Sequence, residues 1–185
     1  MLLPVYVYGH PILRRQAVEI DPKSGELPQF IADLFETMYH DNGVGLAAPQ
    51  VGKSIRVFVI DTAPFTETEP DFQPVKLALI NPVILEEYGD DSIFNEGCLS
   101  IPDVHADVTR KSTIKVRYCN ENGETVEQIF DGLTARVFQH EYDHLEGKTF
   151  IDRLPQVKKM FLKRKLTDIA TGKTTPFYKT IKGIK

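Results

Sequence analysis

The sequence predicts an α+β fold, because helical and strand patterns occupy separate parts of the chain. Apolar residues recur at three- and four-residue steps over residues 26–41 and again over residues 156–170, which is the spacing of one helix face. Candidate strands cluster between residues 55 and 130, and the helical segments flank them instead of alternating with them. This arrangement is typical of the α+β class.

The first helix is predicted over residues 26–41 and ends at Asn42 and Gly43, a pair that favours a turn. Its apolar face consists of Phe30, Ile31, Leu34, Phe35 and Met38. Four strands then follow, over residues 55–60, 77–85, 113–118 and 124–130. The last two form a hairpin across residues 120–123, whose Asn and Gly suit a tight turn. The proline-rich loop over residues 62–74 looks like an insertion, and we assign it no role.

Two helices complete the prediction. One begins after Gly132 with Thr134 as its expected cap, and the other covers residues 156–170 and ends at Gly172. The apolar positions of the last helix are Val157, Met160, Phe161, Leu166 and Ile169.

Composition predicts one globular domain over residues 1–185, with 42% hydrophobic and 26% charged residues. No stretch approaches the roughly 20 apolar residues of a membrane span, and the amino terminus lacks the pattern of a secretory signal. The two cysteines, Cys98 and Cys119, fit a reducing cytosol better than a disulfide framework. We expect a monomer, for which a bacterial cytoplasm is the easiest fit.

Charge is distributed unevenly along the chain. Residues 155–185 hold nine of the 22 Lys and Arg residues and one acid, so they carry +8 while the remainder carries −12. The basic residues of the last helix are Lys158, Lys159, Lys163, Arg164 and Lys165. They form either an ordinary solvated face or a surface that attracts ribosomal RNA.

The segment HEYDH at residues 140–144 predicts a metal site. On a helix, His140 and His144 lie one turn apart on the same face, so both rings can reach one cation. Glu141 would then stand beside the position left open for water.

A third ligand is needed, and Cys98 is the best candidate. One zincin pattern requires a histidine at position 150, which is Phe150, and the last helix offers one carboxylate, Asp168, among lysines. Gly97 precedes Cys98 and allows another backbone to come close. Cys119 lacks such a setting and fits a buried structural residue better.

Three segments resemble the motifs of the peptide deformylase family, in that family's order. They are GVGLAAPQ at residues 43–50, EGCLS at residues 96–100 and QHEYDH at residues 139–144. The resemblance extends to about Leu154. It implies a central helix that carries both histidines against antiparallel or mixed sheets, and removal of formate from the N-formylmethionine of nascent peptides.

The resemblance also implies roles for individual residues. Cys98, His140 and His144 would bind one divalent metal ion, ferrous iron foremost, with zinc, nickel or cobalt as other possibilities. Glu141 would act as general base and then as general acid. The Gln50 side chain and the Leu99 backbone N–H would stabilise the oxyanion.

The methionine side chain requires an apolar slot, for which Val44, Gly45, Leu133 and Val137 are candidates. Gly45 and Gly97 could let substrate backbone pair with an exposed strand edge. Arg136 would make this face partly charged, and the role of Glu96 stays open.

Other features and functions remain open at this point. His105 stands where some family members carry Arg, which puts contacts to later substrate residues in question. Arg110 is expected either near Cys98 or in a surface salt bridge. A metallopeptidase of other specificity and a non-enzymatic metal-binding or ribosome-associated protein are the two alternative functions.

Overall fold

The computed structural model describes residues 1–183, and it has the α+β architecture that the sequence predicts. The helices are α1 (Leu27–His40), α2 (Gly132–Leu145) and α3 (Gln156–Ala170). The strands are β1 (Val5–Tyr6), β2 (Gly45–Ala47), β3 (Val57–Asp61), β4 (Lys76–Cys98), β5 (Ile101–Cys119), β6 (Thr125–Asp131) and β7 (Thr180–Ile181). Short 3₁₀ helices lie at Pro11–Arg14, Ala48–Val51, Ala63–Glu67 and Phe150–Arg153.

The main sheet has five antiparallel strands in the order β2-β3-β4-β5-β6. Strands β4 and β5 are far longer than the predicted segments 77–85 and 113–118. The outer half of β4 was missed because residues 86–91 are exposed and largely charged. The missed half of β5 does carry an alternating pattern, with Val104, Ala106 and Val108 on its inner side, but it was not predicted as a strand. Their last register pair, Cys98 with Ile101, closes the long hairpin and places the cysteine at its tip.

Helices α1 and α2 pack against opposite faces of the sheet. Val57 and Val59 of β3 join the cluster that contains the apolar face of α1, whereas Phe58 and Ile60 join the cluster around α2. This division follows from the two-residue alternation of side chains along a strand. The ring of Phe58 contacts that of Phe138 on α2 edge-on, with centroids 5.1 Å apart. Helix α2 is therefore held at a fixed height over the sheet.

The helix boundaries agree with the sequence pattern except at the start of α2. Helix α1 ends as predicted, with Asn42 in a left-handed conformation at φ 59°. The expected cap at Thr134 is wrong, because Asp131 occupies the N-cap position and the helix starts at Gly132. Strand β6 runs directly into the helix, so no turn remains in which Thr134 could act as a cap.

Helix α3 has the predicted bounds, but one part of its apolar set is exposed. Leu166 and Ile169 are buried, while Val157, Met160 and Phe161 face solvent. After α3 the chain turns back, and β7 pairs in parallel with β1. These two-residue strands were not predicted, since they are too short for a periodic pattern to mark them. In residues 1–183, no helix combines the length and apolar character that crossing a membrane requires.

Candidate metal centre and active site

The side chains of Cys98, His140 and His144 converge at one point. One ligand atom from each residue lies within 4.8 Å of the others, and Cys98 Sγ is 3.3 Å from His144 Nε2. Cys98 comes from the end of β4 and the two histidines from consecutive turns of α2. The helix thus supplies the pair of rings that the i, i+4 spacing predicts.

The ring of His140 is oriented by a buried carboxylate. Its Nδ1 lies 2.8 Å from Glu96 Oε2, so Nε2 is the ring nitrogen that faces Cys98. Arg110 donates two hydrogen bonds to the Glu96 carboxylate, at 2.6 and 2.9 Å, and Arg136 donates one at 2.9 Å. Glu96 therefore links the histidine to two guanidinium groups.

This network continues to a second carboxylate of α2. Arg110 also donates to Asp143 at 2.8 Å, and Arg153 donates to both oxygens of Asp143, at 2.6 and 2.7 Å. Arg110 is buried, so the predicted alternative of a surface salt bridge is wrong. Its guanidinium fixes two carboxylates that flank the histidine pair, instead of contacting Cys98.

Burial and neighbouring charge shift the protonation of these groups. Burial raises the pKa of Glu96, but hydrogen bonds from Arg110 and His140 outweigh it and hold that pKa far below its usual range. Burial lowers the pKa of His140, and the hydrogen bonds of its ring with Cys98 and Glu96 reverse this effect and raise it. Burial, followed by the charge of His140, lowers the pKa of His144 to about 3. His144 is thus neutral, the form in which imidazole binds a metal.

Glu141 is buried, with 4% of its surface exposed, and its Oε2 atom has no hydrogen-bond partner. Burial raises the pKa of Glu141 to about 7, with the charge of His140 acting in the opposite direction. A carboxylate with this pKa can both accept and release a proton near neutral pH.

Gln50 is held by the 3₁₀ helix in which it lies. Its Oε1 accepts a hydrogen bond from Ala47 N–H at 2.8 Å, so Nε2 is directed towards the cysteine motif. This amide nitrogen lies 3.5 Å from Cys98 Sγ and donates to Ser100 Oγ at 3.2 Å. Leu99, between these two residues, lines the cavity described next.

A cavity of about 680 Å³ opens beside the cysteine and histidines. Of the predicted pocket residues, Val44, Gly45, Gly97 and Val137 line it, together with the catalytic candidates Gln50, Leu99 and Glu141. Leu133 does not line it. This residue lies one helical turn before Val137, about 6 Å further along the axis of α2, and so lies outside the cavity.

The two pocket glycines make room for functional side chains. A Cβ at position 45 would lie 2.5 Å from Glu141 Oε1, and one at position 97 would lie 2.5 Å from the ring of His105. His105 and Arg136 also line the cavity. The wall next to Gly97 is therefore an imidazole. Arg136 lines the cavity, but it is buried and paired with Glu96, so it does not form the charged rim that the sequence suggested.

Sequence reasoning missed several residues of the cavity. They are Asp41, Asn42, Gly43, Phe65, Phe94, Ile101, Pro102, Asp103, Thr175, Pro176, Phe177 and Tyr178. Phe65 belongs to the proline-rich loop, to which no role was assigned. The residues from Thr175 onward follow α3 and lie some 75 positions beyond Cys98, so no local pattern could place them here.

The donor set suits a divalent cation. Sulfur and imidazole nitrogen are the ligands that zinc and first-row transition metals accept in protein sites. The hydrogen bond from the first histidine to a carboxylate is the contact that usually orients a metal-binding imidazole. On these grounds the residues present fit a single metal ion.

Comparison with known proteins identifies the family. A family model described as polypeptide deformylase matches residues 2–160. The peptide deformylase of Flavobacterium johnsoniae is 48% identical over 186 residues, which cover 97% of this chain and 95% of that protein. The chain belongs to the polypeptide deformylase family.

Solved structures of this family have the same fold. Peptide deformylase from Thermotoga maritima is 44% identical, superposes with a TM-score of 0.75, and covers 84% of this chain and 99% of its own. A class I type b peptide deformylase from Acinetobacter baumannii, solved with Met-Ala-Ser bound, is 38% identical with a TM-score of 0.77. That match covers 83% of this chain and 99% of the other.

Family membership makes this chain an enzyme, a hydrolase of the deformylase type. The polypeptide deformylases are metalloenzymes, and the group formed by Cys98, His140 and His144 is a possible site for the metal. The central placement of α2 against the sheet agrees with what the motif resemblance implies for the fold.

Proposed function

We propose that this enzyme removes the formyl group from the N-formylmethionine of newly made polypeptides and releases formate. The observation that carries the proposal is the convergence of Cys98, His140 and His144 next to the buried, unpartnered carboxylate of Glu141. Relatives named peptide deformylase, and a neighbour solved with Met-Ala-Ser, support this choice of substrate.

Cys98, His140 and His144 would hold the metal through Sγ and the two Nε2 atoms. A divalent cation supplies a nucleophile at neutral pH by lowering the pKa of a coordinated water. The Glu96 carboxylate keeps Nδ1 of His140 occupied, so the ring presents its other nitrogen to the site.

Glu141 moves the proton. Its carboxylate accepts a proton as the nucleophile attacks the formyl carbon, and it then returns the proton to the departing amine. Burial raises the pKa of Glu141, which brings proton uptake and release closer to neutral pH. Because no hydrogen bond within residues 1–183 occupies Glu141 Oε2, this oxygen is available to the reacting groups.

Gln50 and Leu99 supply donors to the developing oxyanion. The Gln50 amide is oriented by Ala47, which holds Nε2 beside Cys98 before negative charge forms. Leu99 follows the cysteine in the chain and lines the same cavity. Its backbone N–H and the Gln50 amide would together act as a pair of donors beside the metal site.

The substrate would enter by the cavity with its methionine side chain among apolar residues. Val44, Gly45 and Val137 line the part of the cavity next to Glu141. Strand β2, which contains Gly45, lies at the edge of the sheet and can accept a substrate backbone. Gly97 leaves space for the His105 ring, which lines the cavity beside it.

We propose ferrous iron as the working metal, with zinc, nickel or cobalt as substitutes. Sulfur donates charge to the ion, and iron can change its ligand number as substrate binds. Ferrous iron and a half-exposed thiolate both oxidise readily. The iron form should therefore lose activity in air unless reductant or catalase is present, whereas the nickel form should not.

The direct test is formate release from formyl-Met-Ala-Ser by the metal-loaded enzyme. The proposal requires formate and free Met-Ala-Ser as products. Cleavage of a peptide bond in unformylated Met-Ala-Ser would support the alternative of a metallopeptidase instead. Metal binding without either product would support the non-enzymatic alternative.

We also propose that the enzyme works as a monomer in the bacterial cytoplasm and meets its substrate at the ribosome. Lys158, Lys163, Arg164 and Lys165 of α3 are exposed, and they give this helix a basic surface. Such a surface would be attracted to the phosphates of ribosomal RNA in a salt-dependent way.

A further inference from the structure

The segment after α3 lies against the active-site cavity. Residues 175–178 line the cavity, and β7 immediately after them pairs with β1. Val5 N–H donates to the Lys179 carbonyl at 2.9 Å, which fixes the end of the segment. The family model matches residues 2–160, so this segment lies outside the part of the chain that the family model describes.

Tyr178 anchors the segment to the motif that carries the cysteine. Its hydroxyl donates a hydrogen bond to the Leu99 carbonyl at 2.7 Å, and its ring is buried. The neighbouring Ser100 carbonyl accepts a hydrogen bond from Tyr8 N–H at 2.8 Å. Leu99 and Ser100 are thus held by both ends of the chain, and any shift of Tyr178 would also move the Leu99 peptide.

Phe177 is the exposed member of the segment. It lines the cavity, yet 69% of its surface is accessible to solvent. Its ring packs edge-on against Tyr178, with centroids 5.2 Å apart, and lies 6.4 Å from the ring of His40. A large apolar ring held in this way at a cavity rim gains free energy when a ligand covers it.

We propose that residues 175–178 form a specificity wall of the substrate cleft, in which Phe177 contacts the side chain that follows the methionine. Tyr178 fixes this wall to Leu99. The inference rests on the proposed function, in which the formyl group reaches the metal site formed by Cys98, His140 and His144. Gly45 and Val137 are buried, whereas Phe177 is exposed. In this proposal the methionine lies at the buried end and the later substrate residues pass the Phe177 ring.

The wall predicts a preference for an apolar second residue. We would compare kcat/KM for formyl-Met-Leu-Ser and formyl-Met-Gly-Ser, two substrates of equal length. Partial burial of a leucine side chain against Phe177 should give about a fivefold preference for the Leu peptide. Phe177→Ala should bring this ratio close to one, chiefly by lowering kcat/KM for the Leu peptide. Tyr88→Ala, which removes an aromatic ring outside the cavity, should keep the ratio of the wild type.

Tyr178→Phe separates positioning from simple stability. Loss of the hydroxyl should lower kcat on both peptides and reduce the Leu preference, because the hydrogen bond from Tyr178 to the Leu99 carbonyl is lost. Tyr118→Phe is the matched control. The Tyr118 hydroxyl donates a hydrogen bond to Gln128 Oε1 at 3.1 Å, and neither residue lines the cavity. If both variants lower the thermal midpoint equally and neither changes kcat or the ratio, Tyr178 has a structural role alone and its part of the proposal is overturned.

The failures of the wall and of the proposed function can be told apart. Absence of formate release by the wild type from either peptide would refute the deformylase proposal. The wall would still be tested by titrating the metal-loaded protein with Met-Leu-Ser and Met-Gly-Ser, whose affinities should differ by the same factor. A Leu preference that persists in Phe177→Ala, in turnover and in titration, would overturn the wall and leave the deformylase proposal intact.

Discussion

The carboxylate of Glu141 occupies the space that a side chain at position 45 would need. A Cβ there would lie 2.5 Å from Glu141 Oε1 and 2.8 Å from its Cγ, so glycine is required for Glu141 to reach its observed position. Strand β2 and helix α2 therefore pack closely at Glu141, the proposed proton-transfer group.

Gly45→Ala tests this fit. The added methyl group should push the Glu141 carboxylate away from the metal site, and kcat for formate release should fall at least about tenfold, as expected for a displaced general base. Metal content should stay at one ion per chain. Gly25→Ala is the control, because a Cβ at position 25 would meet nothing within 4 Å. Unchanged kcat in Gly45→Ala would show that the position of Glu141 is not critical.

Glu141→Gln removes the proton carrier and keeps the shape of the side chain. Formate release should fall by about 10²-fold or more, while the metal stays bound. In the wild type, kcat/KM should rise with pH as Glu141 loses its proton, with a midpoint no higher than its pKa of about 7, since a bound cation favours the carboxylate. An acid limb that survives in the glutamine variant would assign this titration to another group.

The metal-free protein should lose stability as pH rises through the titration of Glu141. Burial raises the pKa of this group from 4.5 to about 7, so the folded state binds the proton more tightly than the unfolded state does. Stability is then greatest below pH 4.5 for this group and falls as pH increases to 7, by up to about 3 kcal/mol.

Urea denaturation of metal-free Glu141→Gln checks this sign. The variant should be more stable than the wild type at pH 8 and similar to it at pH 5. Glu127→Gln, at a half-exposed surface position, should differ little from the wild type at either pH. A variant that is less stable than the wild type at pH 8 would contradict the assignment.

Glu96→Gln should weaken both the fold and the metal site. The change leaves Arg110 and Arg136 buried with less compensating charge, which costs about 3–5 kcal/mol. It also removes the carboxylate that orients the His140 ring. Metal affinity should therefore fall about 10- to 100-fold. Asp91→Asn, which breaks the exposed pair with Lys111, should cost less than about 1 kcal/mol. Equal effects of the two substitutions would contradict a special role for the buried network.

Reversing charge on α3 tests the ribosome proposal. Lys158→Glu with Lys163→Glu should reduce co-sedimentation with ribosomes and weaken its salt dependence, with kcat/KM on a free tripeptide unchanged. Lys23→Glu with Arg117→Glu makes the same change in net charge at exposed positions elsewhere and should bind as the wild type does. Equal loss of ribosome binding in both double variants would attribute the binding to net charge. No loss in either would exclude α3 as the ribosome-binding surface.

The sequence predicted those parts of the site that depend on short-range spacing. The four-residue step between His140 and His144 determines their common face once the segment is helical, and the structure has that helix. The amphipathic spacing of residues 26–41 and 156–170 likewise yields α1 and α3. The preceding glycine and the lack of another ligand after His144 pointed to Cys98, and the motif resemblance added Gln50 and Leu99. The structure places Cys98 beside both histidines, Gln50 beside Cys98, and Leu99 in the adjoining cavity.

The remaining features depend on contacts between distant residues. Glu96, Arg110 and Asp143 come from β4, β5 and α2, so no spacing in the sequence could show that they form one ion-pair network. The cavity wall at residues 175–178 depends on the return of the chain after α3. Leu133 shares a helix face with Val137, but a face extends along the whole helix, and the cavity ends before it.

Metal content and turnover of Cys98→Ala test the central claim most directly. The account predicts that this variant, purified beside Cys119→Ala, loses the metal at stoichiometric loading and releases no formate from formyl-Met-Ala-Ser, while Cys119→Ala retains both. One metal ion per chain together with undiminished formate release in Cys98→Ala would contradict the account.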